Sequence, residues 1–473
     1  LIWILAGWLG RRFLPGLKTA NESTEDDNLV RPVTALIIGG LLAIALAAIQ
    51  LLPTLELTNY SSRAGGLPAN EVMSFSLPPH LLASALLPAY GQSLFTEYVA
   101  YMPLIILALA FVGGWQWRNR AGVFPALAVT VSGLFLALGA YNPVYWLLAR
   151  LPGFNLFRAP ARWLVLYALG LSLLAGIGWH LLWQWAGSSD GAQERRAILR
   201  SKIAPPVLLF FAAVLLLALW GFAAGSLVEF VPLGPEAPYQ RPLPTAVGGW
   251  ILELLLLVVL VAAAALPDDP RMRRLSLLAL LATGLMAGFF ASRSLPYNNL
   301  TTPEAFFDLR PSTSRLLAER QEVPDRMLSL SDIFFDPGDQ AEIDTIYSDQ
   351  LSEQARYDYT VAIKQKEINA PNLPMITGLA SVDGFDGGIL PLRTYSQWES
   401  QVMADGREMT DGRLREHLDI VPEPRWLDLF NARFLITDKT EDVWQNGIYY
   451  DRQHPVILAE GETVSVTYLP QYE

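Results

Sequence analysis

Arg158 and Arg162, four residues apart in the segment NLFRAPAR, are the residues of this chain best suited to bind a charged ligand. Residues four apart share one face of a helix, so a helical NLFRAPAR segment would place both guanidinium groups on the same side. Guanidinium binds phosphate oxygens through two parallel hydrogen bonds. The spacing therefore indicates a site for an anion such as a lipid phosphate or pyrophosphate.

A second interpretation is that the protein itself compensates these arginines. Long basic side chains extend from a nonpolar environment toward water, and nearby carboxylates can pair with them. Glu56, Glu71 and Glu97 are the candidates for such ion pairs. For Arg63 and Arg150 the same alternatives apply, with pairing the commoner outcome. For the two arginines of NLFRAPAR both interpretations stay open.

Most familiar catalytic arrangements are absent from the sequence. The chain has no cysteine, which excludes disulfides, thiolate zinc sites and cysteine nucleophiles. It also lacks a G-x-S-x-G segment, an H-E-x-x-H segment and a phosphate-binding glycine loop. His80 follows two prolines, where a lone histidine is more often an interfacial residue than a general base. His80 is therefore the weakest of the candidate site residues.

Two acidic segments near the end of the chain favour structural roles. The run between residues 331 and 349 is rich in carboxylates, but its spacing is not that of an EF-hand, so a solvated loop fits better than a calcium site. In VDGFDGG, Asp383 and Asp386 lie among glycines, which favours a tight turn over catalysis. We assign no metal site and no cofactor, although a divalent cation stays open.

The composition divides the chain into two regimes, an apolar part and a strongly acidic part. The fold of these parts must position the candidate residues. The chain is 52% hydrophobic and only 17% charged. The part before Thr301 has a net charge of +5, whereas the part from Thr301 onward has a net charge of −16. Neither part has a basic stripe of the kind that nucleic-acid binding requires, so no nucleic acid is expected as a partner.

The first regime contains seven apolar runs of about the length that crosses a membrane. They lie at about 33–53, 99–116, 122–140, 163–184, 205–225, 247–266 and 275–292. Thirteen Lys and Arg residues fall in the connections on one side, at 11–32, 117–121, 186–204 and 267–274. Cytoplasmic loops carry such an excess of positive charge. The pattern predicts a multi-pass membrane protein whose C-terminal part lies outside the cytoplasm.

The apolar body contains two long outer loops, at 53–98 and 141–162. The first contains PPHLLASALL, which predicts a short helix that lies in the membrane interface or re-enters the membrane. The chain opens inside an apolar run, Leu1 to Leu9, that is too short to span. We therefore expect a partial helix there and an N-terminally truncated sequence, with residues 1–295 forming the transmembrane domain.

The second regime, residues 296–473, has the pattern of a water-soluble α/β domain. RMLSLSD, ARFLITD and PVILAEGETVSVTYL have the β-branched or alternating character of strands. PSTSRLLAERQ and DGRLREHLDIV are typical of short helices. The topology places this domain on the extracytoplasmic side.

Five segments, in order and spacing, resemble the YfhO-type bacterial membrane proteins. They are LPTLELTNYSSR, SLPPHLLASALLP, NLFRAPARWL, VDGFDGGILPLRTYSQW and LDLFNARFLITDK. That family is similar to the GT-C superfamily of integral-membrane glycosyltransferases. The resemblance implies a GT-C-like α-helical multi-pass protein of the bacterial cell (inner) membrane. It also implies a polyprenyl-phosphate-linked sugar as donor and an envelope polymer or protein as acceptor, alongside contacts with membrane lipids.

The resemblance also suggests which residues line the donor site. Carried over by motif, Arg158, Arg162, Arg63 and Glu56 would be polar groups that orient the donor and neutralise its phosphate, with His80 a weaker candidate. GT-C enzymes carry a catalytic carboxylate in the first outer loop, which we expect to precede Leu1, so no catalytic residue is named. The alternative function is a non-enzymatic transport or assembly scaffold whose outer domain binds an envelope component.

Overall fold

The structure is a computed structural model in which most of the described chain is helical. It describes residues 2–13, 30–61, 63–92, 94–116, 122–188, 192–228, 239–295, 301–302, 305, 309–319, 325–330, 344–384, 391–403, 414, 418 and 421–436. The chain divides into two compact units. Unit 1 comprises Leu1–Ile49 and Gly66–Asn298, and unit 2 comprises Gln50–Gly65 and Asn299–Glu473.

Twelve α-helices lie in the described part of the chain before Ser294. They are α1 Ile2–Phe13, α2 Val30–Tyr60, α3 Ala69–Val72, α4 Leu82–Leu86, α5 Leu104–Gly114, α6 Val123–Ala137, α7 Pro143–Leu148, α8 Leu164–Gly187, α9 Ala192–Ile198, α10 Ala204–Val228, α11 Pro244–Ala265 and α12 Pro270–Arg293. Short 3₁₀ turns at Thr96–Tyr98, Gly139–Tyr141 and Pro160–Trp163 connect several of them. Each of the seven apolar runs in the sequence forms one of these helices.

Five helical stretches are long and apolar enough to cross a membrane. They are Val30–Tyr60, Pro160–Gly187, Gln193–Ser226, Pro244–Ala265 and Pro270–Arg293. The two remaining apolar helices, α5 and α6, have 11 and 15 residues. At about 1.5 Å per residue both are shorter than a hydrocarbon core of about 30 Å. Seven full spans were predicted, and five helices have spanning length.

Glycines allow the central helices of unit 1 to pack backbone against backbone. A Cβ atom on Gly113 of α5 would lie 2.0 Å from the carbonyl oxygen of Leu174 in α8. A Cβ atom on Gly178 of α8 would lie 1.9 Å from the carbonyl oxygen of Leu109 in α5. Small residues permit this close approach, which is a main source of helix association in membranes. The α5–α8 pair is therefore specified by two glycines that face each other.

The hairpin of α11 and α12 packs against α5 and α8, and each of its two helices contains one buried ionisable side chain. Glu253 of α11 is 2% exposed and accepts a hydrogen bond of 2.7 Å from the N–H of Leu104, the first residue of α5. Arg273 of α12 is 1% exposed and donates to the carbonyl oxygens of Ala186 (2.9 Å) and Ser188 (2.7 Å) at the end of α8. Each charge complements the dipole of the helix end that it meets.

Helix α2 differs from the other long helices because none of its residues is buried. Its central part consists of Leu, Ile, Ala and Gly residues whose side chains are exposed along the whole helix. A helix that is apolar on all sides needs a nonpolar environment. The acyl chains of a bilayer would be such an environment, and α2 is long and apolar enough to cross one.

Unit 2 contains a small parallel sheet with helices on both faces. Its strands are β1 Arg326–Ser329, β2 Ala380–Ser381 and β3 Ala432–Ile436, in the order β2-β1-β3. Its helices are α13 Pro311–Ala318, α14 Glu353–Glu367, α15 Pro374–Thr377, α16 Arg393–Val402 and α17 Pro424–Phe430. Met327 packs with Leu316 of α13 on one face, and Leu328 packs with Phe430 of α17 on the other. Alternation along β1 produces this layering.

Several predicted elements of unit 2 are present. RMLSLSD contains β1, ARFLITD contains β3 and PSTSRLLAERQ contains α13. The predicted strand at 455–469 and most of the predicted helix at 411–421 lie outside the described residues. Asp383 has the structural role that its turn suggested, since its Oδ1 accepts a hydrogen bond of 3.0 Å from the N–H of Leu414. Most of the acidic run at 331–349 and Asp386 also lie outside the described residues.

Candidate functional site

The part of the first long loop that belongs to unit 1, residues 66–98, is joined to the second long loop, 141–162. The hydroxyl of Ser76 accepts a hydrogen bond of 2.8 Å from the N–H of Ala140, at the edge of the second loop. The N–H of Ala161 donates to the carbonyl oxygen of Phe75, at 3.2 Å. Gly139 adopts a φ of +45°, and a Cβ atom there would lie 2.1 Å from the Ser76 hydroxyl oxygen. These parts of the two loops therefore form one layer at the same end of the helices.

The short helix of the first long loop is buried. Helix α4 packs against α10, where a Cβ atom on Gly221 would lie 2.8 Å from the Cβ atom of Ala83. The indole N–H of Trp220 in α10 donates to the carbonyl oxygen of Pro79, at 2.8 Å. The sequence left open whether this helix lies in the membrane interface or re-enters. The structure shows the helix buried against α10, and both alternatives stay predictions.

Helix α11 anchors the following part of the first loop. The phenol of Tyr90 donates a hydrogen bond of 2.5 Å to Glu253, and the indole N–H of Trp250 donates to the carbonyl oxygen of Pro88 at 2.8 Å. Gly249 leaves room for the Tyr90 ring, which a Cβ atom would approach to 2.3 Å. Burial, followed by the contact with Glu253, raises the pKa of Tyr90, so its phenol stays protonated as a donor.

A cavity of about 490 Å³ lies between four helices of unit 1 and α4. Its lining comes from the α4 end (Leu86, Leu87), α5 and its end (Leu107, Ala110, Phe111, Gly114, Trp115), α6 (Leu127, Thr130, Leu134), α8 (Tyr167, Leu171, Leu174) and α10 (Leu209, Phe210, Ala213, Val214, Leu217). This volume is in the range of pockets that hold small organic ligands. Along α5 the lining extends from Leu107 to Trp115, which is about 12 Å of helix.

The lining of the cavity is almost entirely hydrocarbon. The hydroxyl groups in it belong to Thr130 and Tyr167. Thr130 donates its proton to the carbonyl oxygen of Ala126 in its own helix, at 2.8 Å. The arrangement suits the apolar chain of a lipid, because a polar ligand would find few hydrogen-bonding partners.

Arg162 lies five residues before Tyr167, about 8 Å further along the helix axis toward the loops. Its guanidinium group forms a bidentate ion pair with Glu97, at 2.7 and 3.1 Å. The Arg162 side chain is 65% exposed despite this pair, and the Glu97 side chain is 25% exposed. Of the two interpretations from the sequence, the structure shows the pairing for Arg162. The exposed guanidinium still has surface available to a second anion.

Arg158 and Arg162 do not share a helical face. Ala159 adopts a left-handed conformation, with φ of +63°, and the 3₁₀ turn that contains Arg162 begins only at Pro160. Proline disfavours helical geometry in the preceding residue, so a continuous helix is broken between the two arginines. The expectation of a shared face was therefore wrong. Arg158 lies in the half-buried loop ahead of the break.

The other predicted site residues fall in different parts of the chain. His80 is half-buried in the 3₁₀ turn that precedes α4 in unit 1. Glu56 is exposed near the end of α2, and Arg63 is half-buried in the turn after it. Both belong to unit 2. Arg162 is paired with Glu97, at 2.7 Å.

Sequence reasoning missed the residues that shape the cavity. Tyr167 and Ala213 lie inside apolar runs whose composition does not distinguish a residue facing a cavity from one facing lipid. Glu253 carried a visible signal, since it is a lone carboxylate in an apolar run, and such residues usually have an assigned role. In the structure that role is to join α11 to Tyr90 and α5.

The geometry allows binding of an amphiphile, with an apolar chain in the cavity and an anionic group near Arg162. The described residues contain no cluster of three or more metal-ligating side chains. None of the protein-family models, curated proteins or solved structures compared with this chain matches it.

Proposed function

We propose that this chain is a GT-C-like membrane glycosyltransferase, or the donor-binding part of one, that uses a polyprenyl-phosphate-linked sugar. The single observation that carries the proposal is the apolar cavity of about 490 Å³. An isoprenoid chain is a hydrocarbon of the kind that this lining accommodates. The five segments that resemble YfhO-type proteins support the same donor class.

In the proposed reaction, an acceptor hydroxyl attacks the anomeric carbon of the sugar on the outer face of the membrane. The bond between that carbon and the phosphate oxygen breaks, and polyprenyl phosphate leaves with the electron pair. The acceptor proton passes to a general-base carboxylate, to which no residue is assigned. Arg162 stabilises the negative charge that develops on the leaving phosphate, which is the usual contribution of a positioned cation. The acceptor is an envelope polymer or protein.

Filling the cavity should prevent binding of the long chain. Ala213→Phe places an aromatic ring in the cavity, and we expect it to weaken binding of an undecaprenyl phosphate at least about tenfold, or 1.4 kcal/mol. Native mass spectrometry of the full chain in detergent, titrated with this lipid, measures the change. A phosphate with a single isoprene unit is expected to bind the variant and the parent equally.

Ala212→Phe is the matched control for this experiment. Ala212 is the preceding residue of α10 and is exposed on the helix surface, so its ring would face the detergent or lipid. The control should bind undecaprenyl phosphate as the parent does. Equal binding by Ala213→Phe and Ala212→Phe would remove the cavity from the donor site.

The alternative function, a non-enzymatic transport or assembly scaffold, is favoured by one observation. Arg162 already has a carboxylate partner in Glu97, so its charge is compensated without any ligand. In a scaffold this ion pair would only join the first long loop to the start of α8.

Arg162→Ala distinguishes the two functions. If Arg162 binds the donor phosphate, the variant should lose about tenfold or more in affinity for undecaprenyl phosphate, because charged hydrogen bonds contribute about 1.5–3 kcal/mol. Its affinity for undecaprenol, which lacks the phosphate, should not change. Arg150→Ala is the control, since Arg150 is an exposed arginine of the same loop. Equal loss for the phosphate and the alcohol would indicate a structural role and support the scaffold.

A further inference from the structure

Helix α2 has the length of a whole bilayer. Its 31 residues extend about 46 Å, which matches the 40–45 Å of a bilayer with its headgroup layers. The end of the helix is polar, since Glu56, Thr58 and Asn59 follow the apolar stretch. Tyr60, the last residue, is exposed and has the amphipathic ring typical of a membrane interface. The end of α2 therefore lies at the level of the lipid headgroups.

A backbone pairing connects the end of α2 to another segment of unit 2. Ser61, the residue that follows α2, forms an antiparallel β-bridge with Leu392. Both residues belong to unit 2. Leu392 precedes the first residue of α16, so α16 begins next to the headgroup layer. Because α16 has only ten residues, none of it is more than about 15 Å from this point.

Close to this point, unit 2 exposes an aromatic surface. Trp398 of α16 packs edge-on against Trp426 of α17, with ring centroids 6.4 Å apart, and contacts Phe430 at 6.2 Å. Trp398 is nevertheless 43% exposed, and Leu429, which follows Trp426 by three residues on α17, is 54% exposed. We name the surface formed by Trp398, Trp426 and Leu429 the aromatic face.

Basic side chains accompany the aromatic face. The guanidinium group of Arg425 lies 5.1 Å from the centroid of the Trp426 ring and pairs with Glu423 at 2.8 Å, while its side chain stays 69% exposed. Arg393 is exposed at the start of α16. Exposed Trp and Leu residues flanked by arginines are the combination that binds membrane interfaces, since the rings enter the headgroup layer and the cations meet lipid phosphates.

We propose that the aromatic face of unit 2 is a membrane-docking surface that rests in the headgroup layer beside α2. The bridge between Ser61 and Leu392 places the start of α16 next to the end of α2. The exposed rings and the arginines are the groups that would contact the lipid headgroups. Docking of this kind would hold the soluble domain against the bilayer at one orientation. Exposed tryptophans also bind carbohydrate chains, but the continuity with the end of α2 favours the lipid. The inference requires only that α2 spans a membrane, and it is independent of the proposed glycosyl transfer.

A spin label gives a direct test, because the chain has no cysteine and any introduced one is unique. Leu429→Cys carries the label on the aromatic face, at a position that is already exposed and should tolerate the change. Asp349→Cys carries it on an exposed polar turn of unit 2 as the control. Both full-length variants are reconstituted in nanodiscs of anionic and zwitterionic lipid, and accessibility to oxygen and to a water-soluble nickel chelate is measured.

The label at residue 429 is expected to show an oxygen-to-nickel accessibility ratio several-fold above that of the label at residue 349. The difference should disappear in a lipid-free polymer belt that leaves no bilayer surface. Equal ratios at both positions in nanodiscs would overturn the proposal. If the label at residue 429 is as exposed to water as the control and becomes protected only when a polysaccharide is added, the face binds carbohydrate instead.

Discussion

Replacing Gly178 by alanine is expected to destabilise the helical body by about 3 kcal/mol, as overpacking between two backbones does. The added methyl group would lie 1.9 Å from the carbonyl oxygen of Leu109, so α5 and α8 must move apart. Neither helix can relax by a side-chain rotation, because the clash is with main-chain atoms. The unfolding temperature of the purified protein in detergent, followed by light scattering or circular dichroism, measures the loss of stability.

Gly176→Ala is the matched control, and its effect on stability should have the opposite sign. A Cβ atom on Gly176 meets nothing within 4 Å, although it lies only two residues away in the same helix. Alanine favours helical geometry over glycine by about 0.5–1 kcal/mol, so this variant should be slightly more stable than the parent. If both substitutions change the unfolding temperature equally, the close approach of α5 and α8 is not a source of stability.

Replacing Glu253 by alanine should cost about 2–4 kcal/mol, because it leaves buried hydrogen-bond donors without an acceptor. These donors include the N–H of Leu104, at 2.7 Å, and the phenol of Tyr90, at 2.5 Å. The change removes the cap of α5 and the link from α11 to the first long loop. We expect both a lower unfolding temperature and faster proteolysis of that loop in detergent.

Two further variants separate these effects. Tyr90→Phe removes only the phenol hydrogen bond, so it should loosen the loop and leave α5 capped, at a cost of about 1–2 kcal/mol. Leu252→Ala changes the neighbouring exposed residue of α11 and should have little effect. Proteolysis of the loop at the parental rate in Glu253→Ala would show that Glu253 does not anchor it.

The positions of the membrane helices could be predicted from the sequence because apolar runs are a local property. All seven runs form helices, but their lengths depend on breaks that composition shows poorly. Helix α5 begins only after Pro103, because proline disfavours helical geometry in the residue before it, and a turn at Trp115 follows the helix. The orientation in the membrane, inferred from basic loops, stays a prediction.

The candidate site was only partly accessible to sequence reasoning. The two long loops follow from the lengths of the connections, which a sequence displays. Glu97 was one of three carboxylates that could pair with Arg162, and the sequence did not decide between pairing and binding of a ligand. The cavity does not follow from the sequence, because it depends on how four helices cross, and those crossings are set by facing glycines such as Gly133 and Gly170. The break between the two arginines of NLFRAPAR follows from Pro160, because proline disfavours helical geometry in the preceding residue, Ala159.

Unit 2 was also only partly predictable from the sequence. Strands β1 and β3 were recognisable from their β-branched residues, yet their adjacency and parallel pairing require a helical crossover that no local pattern specifies. The bridge between Ser61 and Leu392 joins residues more than three hundred positions apart, and no periodicity encodes it.

The two buried ionisable side chains of the α11–α12 hairpin, one in each helix, have a consequence for how the hairpin is positioned. Glu253 accepts a hydrogen bond from the start of α5, and Arg273 donates to the end of α8, so each needs partners of one kind. A hairpin displaced by one turn, about 5.4 Å, would leave both polar groups beside hydrocarbon. Both sets of hydrogen bonds are therefore satisfied together in one register of the hairpin.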